Sequence, residues 1–168
     1  RLFLTQTKKL IYTHQSFGIS FANGIVSIAD TNLNNNTGFS DNSALYHATA
    51  FQDVDFNYLS FGHESSNNSR RALFTKRNQN QSFQWVKYFR HPNTTATKLT
   101  IADDAIRSNN TYTLLMHFED TTTQNTIYLV KTNLNGDTLL TKTFAANYDP
   151  FGIYSLGING FIMAASVI

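Results

Sequence analysis

Apolar and polar residues alternate along short runs of this chain, and clusters of Asn, Gly, Asp and Ser separate the runs. A period of two, bounded by such clusters, is the pattern of strands that bury one face. The run Ile127-Tyr128-Leu129-Val130-Lys131-Thr132-Asn133 passes through Asn135-Gly136-Asp137 to Leu139-Leu140-Thr141-Lys142-Thr143-Phe144. Asn and Gly take the positive φ angles that tight connections need, so a hairpin is predicted here. The run Ala72-Leu73-Phe74-Thr75-Lys76-Arg77 leads through polar residues to Phe83-Gln84-Trp85-Val86-Lys87-Tyr88-Phe89 and predicts a second. Residues 2–6 and 9–13, around Thr7-Lys8, read as a shorter third.

The two later hairpins share one offset of 55 residues (131 − 76), which pairs Lys76 with Lys131, Lys87 with Lys142 and Phe89 with Phe144. Between hairpins a second unit recurs, a short strand, a polar turn and a more apolar strand. Its copies are 17–29 with Asn23-Gly24 at the turn, 48–64 with Asp53 and Asp55, 99–119 with Asp103-Asp104 and Asn109-Asn110, and 153–167 with Asn159-Gly160. The second strands begin near Ile25, Tyr58, Tyr112 and Phe161, at spacings of 33 (58 − 25), 54 (112 − 58) and 49 (161 − 112). The first spacing is short because residues 30–43 are polar and Asn-rich where a hairpin is expected.

Four short strands repeated about every 55 residues is the pattern of a propeller blade. The expected fold class is therefore all-β, a partial β-propeller of four-stranded antiparallel blades. In that frame residues 1–29 are an incomplete blade, 30–46 a linker or truncated blade, 47–89 and 97–144 two blades, and 151–168 the start of the next. A β-sandwich is the alternative, but nothing in a sandwich requires one hairpin to return at a fixed offset.

The strand 127–133, the Asn135-Gly136-Asp137 turn and Leu140-Thr141-Lys142-Thr143-Phe144 resemble the blade motif of WD40/PQQ-like propellers in secreted and surface proteins of Bacteroidota and related bacteria. That motif places Trp where Trp85 stands in the middle copy and where Leu140 replaces it in the last. The resemblance implies a scaffold and an extracellular or cell-surface location, outer-membrane association included. It carries no catalytic residue across, because propellers serve many functions.

Composition narrows the chemistry. Aromatic residues make up 14% of 168, which suits strands, and a chain of this length can bury a core of its own. The formal charge of +2 is spread along the chain and gives no footprint for nucleic acid. The absence of cysteine excludes disulfides, thiolate zinc sites and a cysteine nucleophile, and fits an exported bacterial protein. No apolar run approaches the roughly 20 residues of a membrane span. Both ends fall inside apolar strand-like runs, which reads as a piece of something longer.

Candidate residues divide between chemistry and structure. Asp53, Asp55, Asp103 and Asp104 are placed to bind Ca²⁺ or to act on a glycan, or else to bond the backbone of their own turns. The histidines, His14, His47, His63, His91 and His117, are scattered, and strand-end rim positions are favoured over metal ligands. Arg70-Arg71 and Lys76-Arg77 form the one local basic group, with Lys76 read as lying on a solvated face. No Gly-x-Ser-x-Gly elbow and no phosphate loop occur. Glycosylation sequons at Asn35, Asn67, Asn80, Asn93 and Asn109 are near chance in a chain so rich in Asn, Ser and Thr.

Two functions follow. One is a non-catalytic binding or scaffold module of a larger chain or complex, without cofactor or metal, presenting Tyr12, Tyr46, Tyr148 and Tyr154 with Asp and Asn to a protein, glycan or envelope partner. Core aromatics are the plain alternative for these tyrosines. The other is a glycan or ester hydrolase whose carboxylates converge at a propeller mouth, which requires acid pairs within roughly 5 to 10 Å.

Overall fold

The computed structural model describes residues 2–5, 9–17, 22–30, 37–40, 45–64, 71–92, 99–119, 125–146, 148–157 and 160–167. Every regular element among them is a strand. Sheet 1 is β1 (Leu2–Leu4), β2 (Lys9–Phe17), β3 (Ala22–Asp30) and β4 (Thr37–Ser40). Sheet 2 is β5 (Leu45–Gln52), β6 (Tyr58–Glu64), β7 (Arg71–Arg77) and β8 (Phe83–Phe89). Sheet 3 is β9 (Leu99–Ser108), β10 (Thr111–Glu119), β11 (Asn125–Asn133) and β12 (Thr138–Ala146). A last hairpin joins β13 (Tyr148–Ser155) to β14 (Phe161–Val167). Strands pair in chain order within each sheet and always antiparallel.

The offset of 55 is visible in the backbone. In the β11–β12 turn the Asn133 N–H bonds Asp137 O at 2.9 Å and the Gly136 N–H bonds Asn133 O at 3.1 Å. Asn133 Oδ1 accepts the N–H groups of Asn135 and Asp137, both at 2.9 Å. In the β7–β8 turn Asn78 repeats the arrangement, with Ser82 and Gln81 in the places of Asp137 and Gly136. The fourth turn residue needs a positive φ, which is 77° at Gly136 and 66° at Gln81. Glycine takes that conformation freely and Gln does not. Gln81→Gly is therefore expected to raise stability by about 0.5–1 kcal/mol, read as a higher denaturant midpoint at unchanged m-value.

Alternation gives each sheet two faces, and the sheets use them in a fixed order. β5 packs on β2 and β3, β9 packs on β5, β6 and β7, and β13 packs on β9, β10 and β11. Each sheet thus lays its first strand over the preceding one. Between sheets 1 and 2 lie Ile11, Val26, Ile28, Phe39, Ala50 and Tyr58. Between sheets 2 and 3 the largest core gathers Phe61, Phe74, Tyr112, Leu114 and Met116, with the Phe74 ring edge-on to Trp85 and to Tyr112, each at 5.2 Å. Ile153 and Met163 of the last hairpin cover Leu115, Ile127 and Leu129 of sheet 3.

β1 pairs with β2 without a bulge, whereas the first strands of sheets 2 and 3 and of the last hairpin each carry one, at Ala48 in β5, Asp103 in β9 and Phe151 in β13. Opposite the first of these, a Cβ on Gly62 would lie 1.8 Å from the Tyr46 carbonyl oxygen. Only glycine fits so close an approach.

The structure is all-β with four-stranded antiparallel sheets, as the alternation predicts, and it changes the frame at the N-terminal end. The stretch 30–46 holds β4, the fourth strand of sheet 1. The opening hairpin supplies the first two strands of that sheet rather than an outer pair, and Ile25 lies in its third strand. Asn23 and Gly24 do not form a turn, because β2 and β3 stay in register from Lys9↔Asp30 to Phe17↔Ala22. The connection at 18–21 lies outside the described residues. Phe39 stands 46 positions before Trp85 (85 − 39), but the ladders do not match at that offset. Phe39 pairs with Val26, whereas Trp85 pairs with Lys76, so Trp85 and Leu140, the partner of Lys131, share a position of the repeat that Phe39 does not.

Candidate functional site

Asp53 opens the β5–β6 turn, where its N–H bonds Asn57 O at 2.8 Å and its carbonyl accepts the Phe56 N–H at 3.0 Å. The turn delivers the carboxylate inward, and Asp53 is only 2% exposed. Its Oδ1 accepts the Val54 N–H at 2.8 Å and pairs with the Arg107 guanidinium of β9. Its Oδ2 accepts Lys76 Nζ of β7 at 2.9 Å and the Tyr112 hydroxyl of β10. Burial pushes the Tyr112 phenol up to about 12, so it remains a donor at any ordinary pH. Lys76 also reaches Asp55 Oδ2 at 2.6 Å.

Two carboxylates and two cations are thus balanced in one cluster that ties sheet 2 to sheet 3. Lys76, expected on a solvated face, is buried, because the preceding turn folds both carboxylates over the alternating position it occupies. Burial of Asp55 alone would raise its pKa, but hydrogen bonds from Lys76 and the Asn57 N–H, with the Lys76 charge, hold it below the ordinary value.

Asp103 and Asp104 occupy a different place in the repeat. They lie within β9, and the true counterpart of Asp53 at the offset of 55 is Ser108 (108 − 53). Being the bulged residue frees the Asp103 side chain to meet His117 Nδ1, 2.8 and 2.9 Å from its two oxygens. Burial raises its pKa to about 6 against the opposing pull of His117, with Asp149 adding to the rise. Asp104 is buried and accepts two backbone groups, the Ala105 N–H and, across the next interface, the Ile153 N–H, both at 2.9 Å.

The remaining candidates do not converge. Tyr148 and Tyr154 are exposed on β13, Tyr46 stacks on His63 at 4.8 Å, and the Tyr12 and His14 side chains lie outside the described residues. His91 stacks on Phe118 at 4.6 Å. Arg71 pairs with Glu64 at 2.6 Å and covers the Tyr88 ring, Arg77 lies between the rings of Phe39 and Phe83, and Arg70 is outside the described residues. Among the described residues no group of three or more His, Asp or Glu is placed to hold a metal, and no helix is long and apolar enough to cross a membrane.

One cavity of about 490 Å³ opens between sheet 3 and the β13–β14 turn. Sequence reasoning passed over it. Its walls are Ile106, Leu129, Leu140, Phe144 and Phe161, with hydroxyl and amide groups of Ser108, Asn109, Asn110, Thr111 and Thr113 and the cations Lys131 and Lys142. Leu140, Lys142 and Phe144 are the alternating residues of the strand quoted above for its repeat, so the signal for this wall was in the pattern. Compared with known proteins, the chain matches no protein-family model, and no curated protein matches it.

Proposed function

We propose that the chain is a non-catalytic binding or scaffold module, a segment of a β-propeller in a larger secreted or cell-surface protein or envelope assembly. The observation that carries the reading is the stacking rule, in which each four-stranded sheet receives the first strand of the next on the same face. Radial repetition of such sheets is how propellers protect their edges. The exposed aromatics Tyr148, Phe151 and Tyr154 on β13 supply contact surface for a protein or glycan partner.

The carboxylates fit structural work better than hydrolysis. Lys76 occupies the space between Asp53 and Asp55 where a scissile bond would have to enter, and the lowered pKa of Asp55 is the wrong shift for a general acid. The cavity offers lysines and no carboxylate. The first measurement is the intact mass from the natural source with mapping of both termini. A mass several times 19.0 kDa is expected, and one near 19.0 kDa would overturn the segment reading. Assay against chromogenic glycosides and esters is expected to show no turnover, and turnover abolished by Asp55→Asn would overturn the non-catalytic reading.

A further inference from the structure

The position shared by Trp85 and Leu140, paired with Lys76 and Lys131, is covered in sheet 2 and open in sheet 3. Trp85 is half-buried under the β11–β12 turn of sheet 3, where a Cβ on Gly136 would come within 3.2 Å of its ring. In the same turn Asp137 pairs with Lys87 at 2.8 Å, which lowers the Asp137 pKa, and Leu134 packs on the core beneath. The offset of 55 carries Trp85 to Leu140, Lys87 to Lys142 and Phe89 to Phe144. Leu140 is 51% exposed and Phe144 43%, and Lys142 is exposed beside them. β14 pairs only with β13 among the described residues, so its outer edge is open next to this strip.

We infer that the Leu140–Lys142–Phe144 strip of β12, with the outer edge of β14, is the seat of a further β-hairpin of this repeat's own type. The hairpin pairs with β14 as the third and fourth strands of its sheet. Its turn lays a glycine and a carboxylate over Leu140 and Lys142, as Gly136 and Asp137 lie over Trp85 and Lys87. The occupant comes from the array of which this chain is a segment, and to that extent the inference rests on the proposed function. Two things on the molecule favour it over other occupants. The two cations Lys131 and Lys142 at the cavity await an acidic turn, and the strip continues an interface already formed once between sheets 2 and 3. Strand addition at the open edge supplies the backbone hydrogen bonds.

The probe is a peptide of residues 125–146, this chain's own β11–β12 hairpin, closed head to tail through a tight turn. Its ends allow this because Asn125 and Ala146 are register partners. Titration into the ¹⁵N-labelled protein is expected to give saturable shifts confined to β12, the β14 edge and the cavity rim. Leu140→Glu should weaken binding at least 10-fold, and half exposure of Leu140 keeps that variant folded. Asp137→Lys in the peptide should weaken it as well, with Lys142→Glu in the protein restoring affinity.

Binding that is absent, or indifferent to Leu140→Glu, overturns the inference. So does self-association of the protein that Leu140→Glu abolishes, since a second copy would then be the occupant. A large natural mass with no peptide binding sinks the seat and leaves the segment reading intact. Saturable, charge-swappable binding with a natural mass near 19.0 kDa does the reverse.

Discussion

Asp53→Ala is expected to destabilise the protein by about 3–5 kcal/mol, because it strands buried cations without a partner. The Lys76 side chain is 7% exposed and that of Arg107 19%, so water cannot replace what the carboxylate gives them. The Tyr112 hydroxyl and the Val54 N–H lose their acceptor in the same step. Asp55→Asn is the control. The Asp55 side chain is 44% exposed, and its loss should cost no more than about 1 kcal/mol. Chemical denaturation of the two variants separates them. A loss below 1 kcal/mol for Asp53→Ala would mean that the cluster relaxes onto other partners and does not hold sheets 2 and 3 together.

The second large effect concerns pH, and wild-type protein hides it. Asp103 holds its proton to about pH 6 in the fold, whereas the unfolded chain releases it near 3.8. Between those values the native state binds more protons, so stability falls as pH rises, by about 3 kcal/mol for this group. Burial sets this rise, His117 on β10 opposes it through its hydrogen bond and charge, and the Asp149 charge on β13 adds to it. His47 does the opposite. Burial, with the Arg77 charge, lowers its pKa from 6.5 to about 4, so the unfolded state takes up the proton first and stability rises with pH over the same window, again by about 3 kcal/mol. Burial lowers the pKa of His91 too, which adds to the second slope.

Stability of the wild type should therefore rise only weakly from pH 4 to 6, with the excess coming from His91. Asp103→Asn should steepen the rise and His47→Leu should turn the profile downward. Denaturant melts across that range decide the matter, and parallel profiles for all three proteins would refute both assignments. Below pH 4 a further loss is expected as the depressed Asp55 carboxyl is protonated.

Strand identity was legible wherever alternation was clean. β7, β8, β11 and β12 fall where the repeat at 55 puts them, and Asn135-Gly136-Asp137 is the turn that the residues announce. The N-terminal sheet was misread because Asn23-Gly24 carries a turn signal inside a strand. The recurrence of Thr31-Asn32-Leu33-Asn34 as Thr132-Asn133-Leu134-Asn135 (132 − 31 = 101) was passed over, and its first copy lies outside the described residues. The carboxylates were picked as a set on spacing alone. A bulge and a turn are indistinguishable in such a pattern, yet the bulge sends Asp103 to His117 and the turn sends Asp53 into a buried ion cluster. Lys76 could not be placed from the sequence, because its burial depends on a turn more than twenty positions away (76 − 53).

Every ladder among the described residues joins strands that follow one another along the chain. None of these strands waits for a distant partner before it can pair, so only short loops have to close, and hairpins of this kind form in roughly 1–10 μs. The natural unit of gain or loss is then a whole sheet, since a gene duplication that inserts or removes four strands leaves every remaining ladder intact.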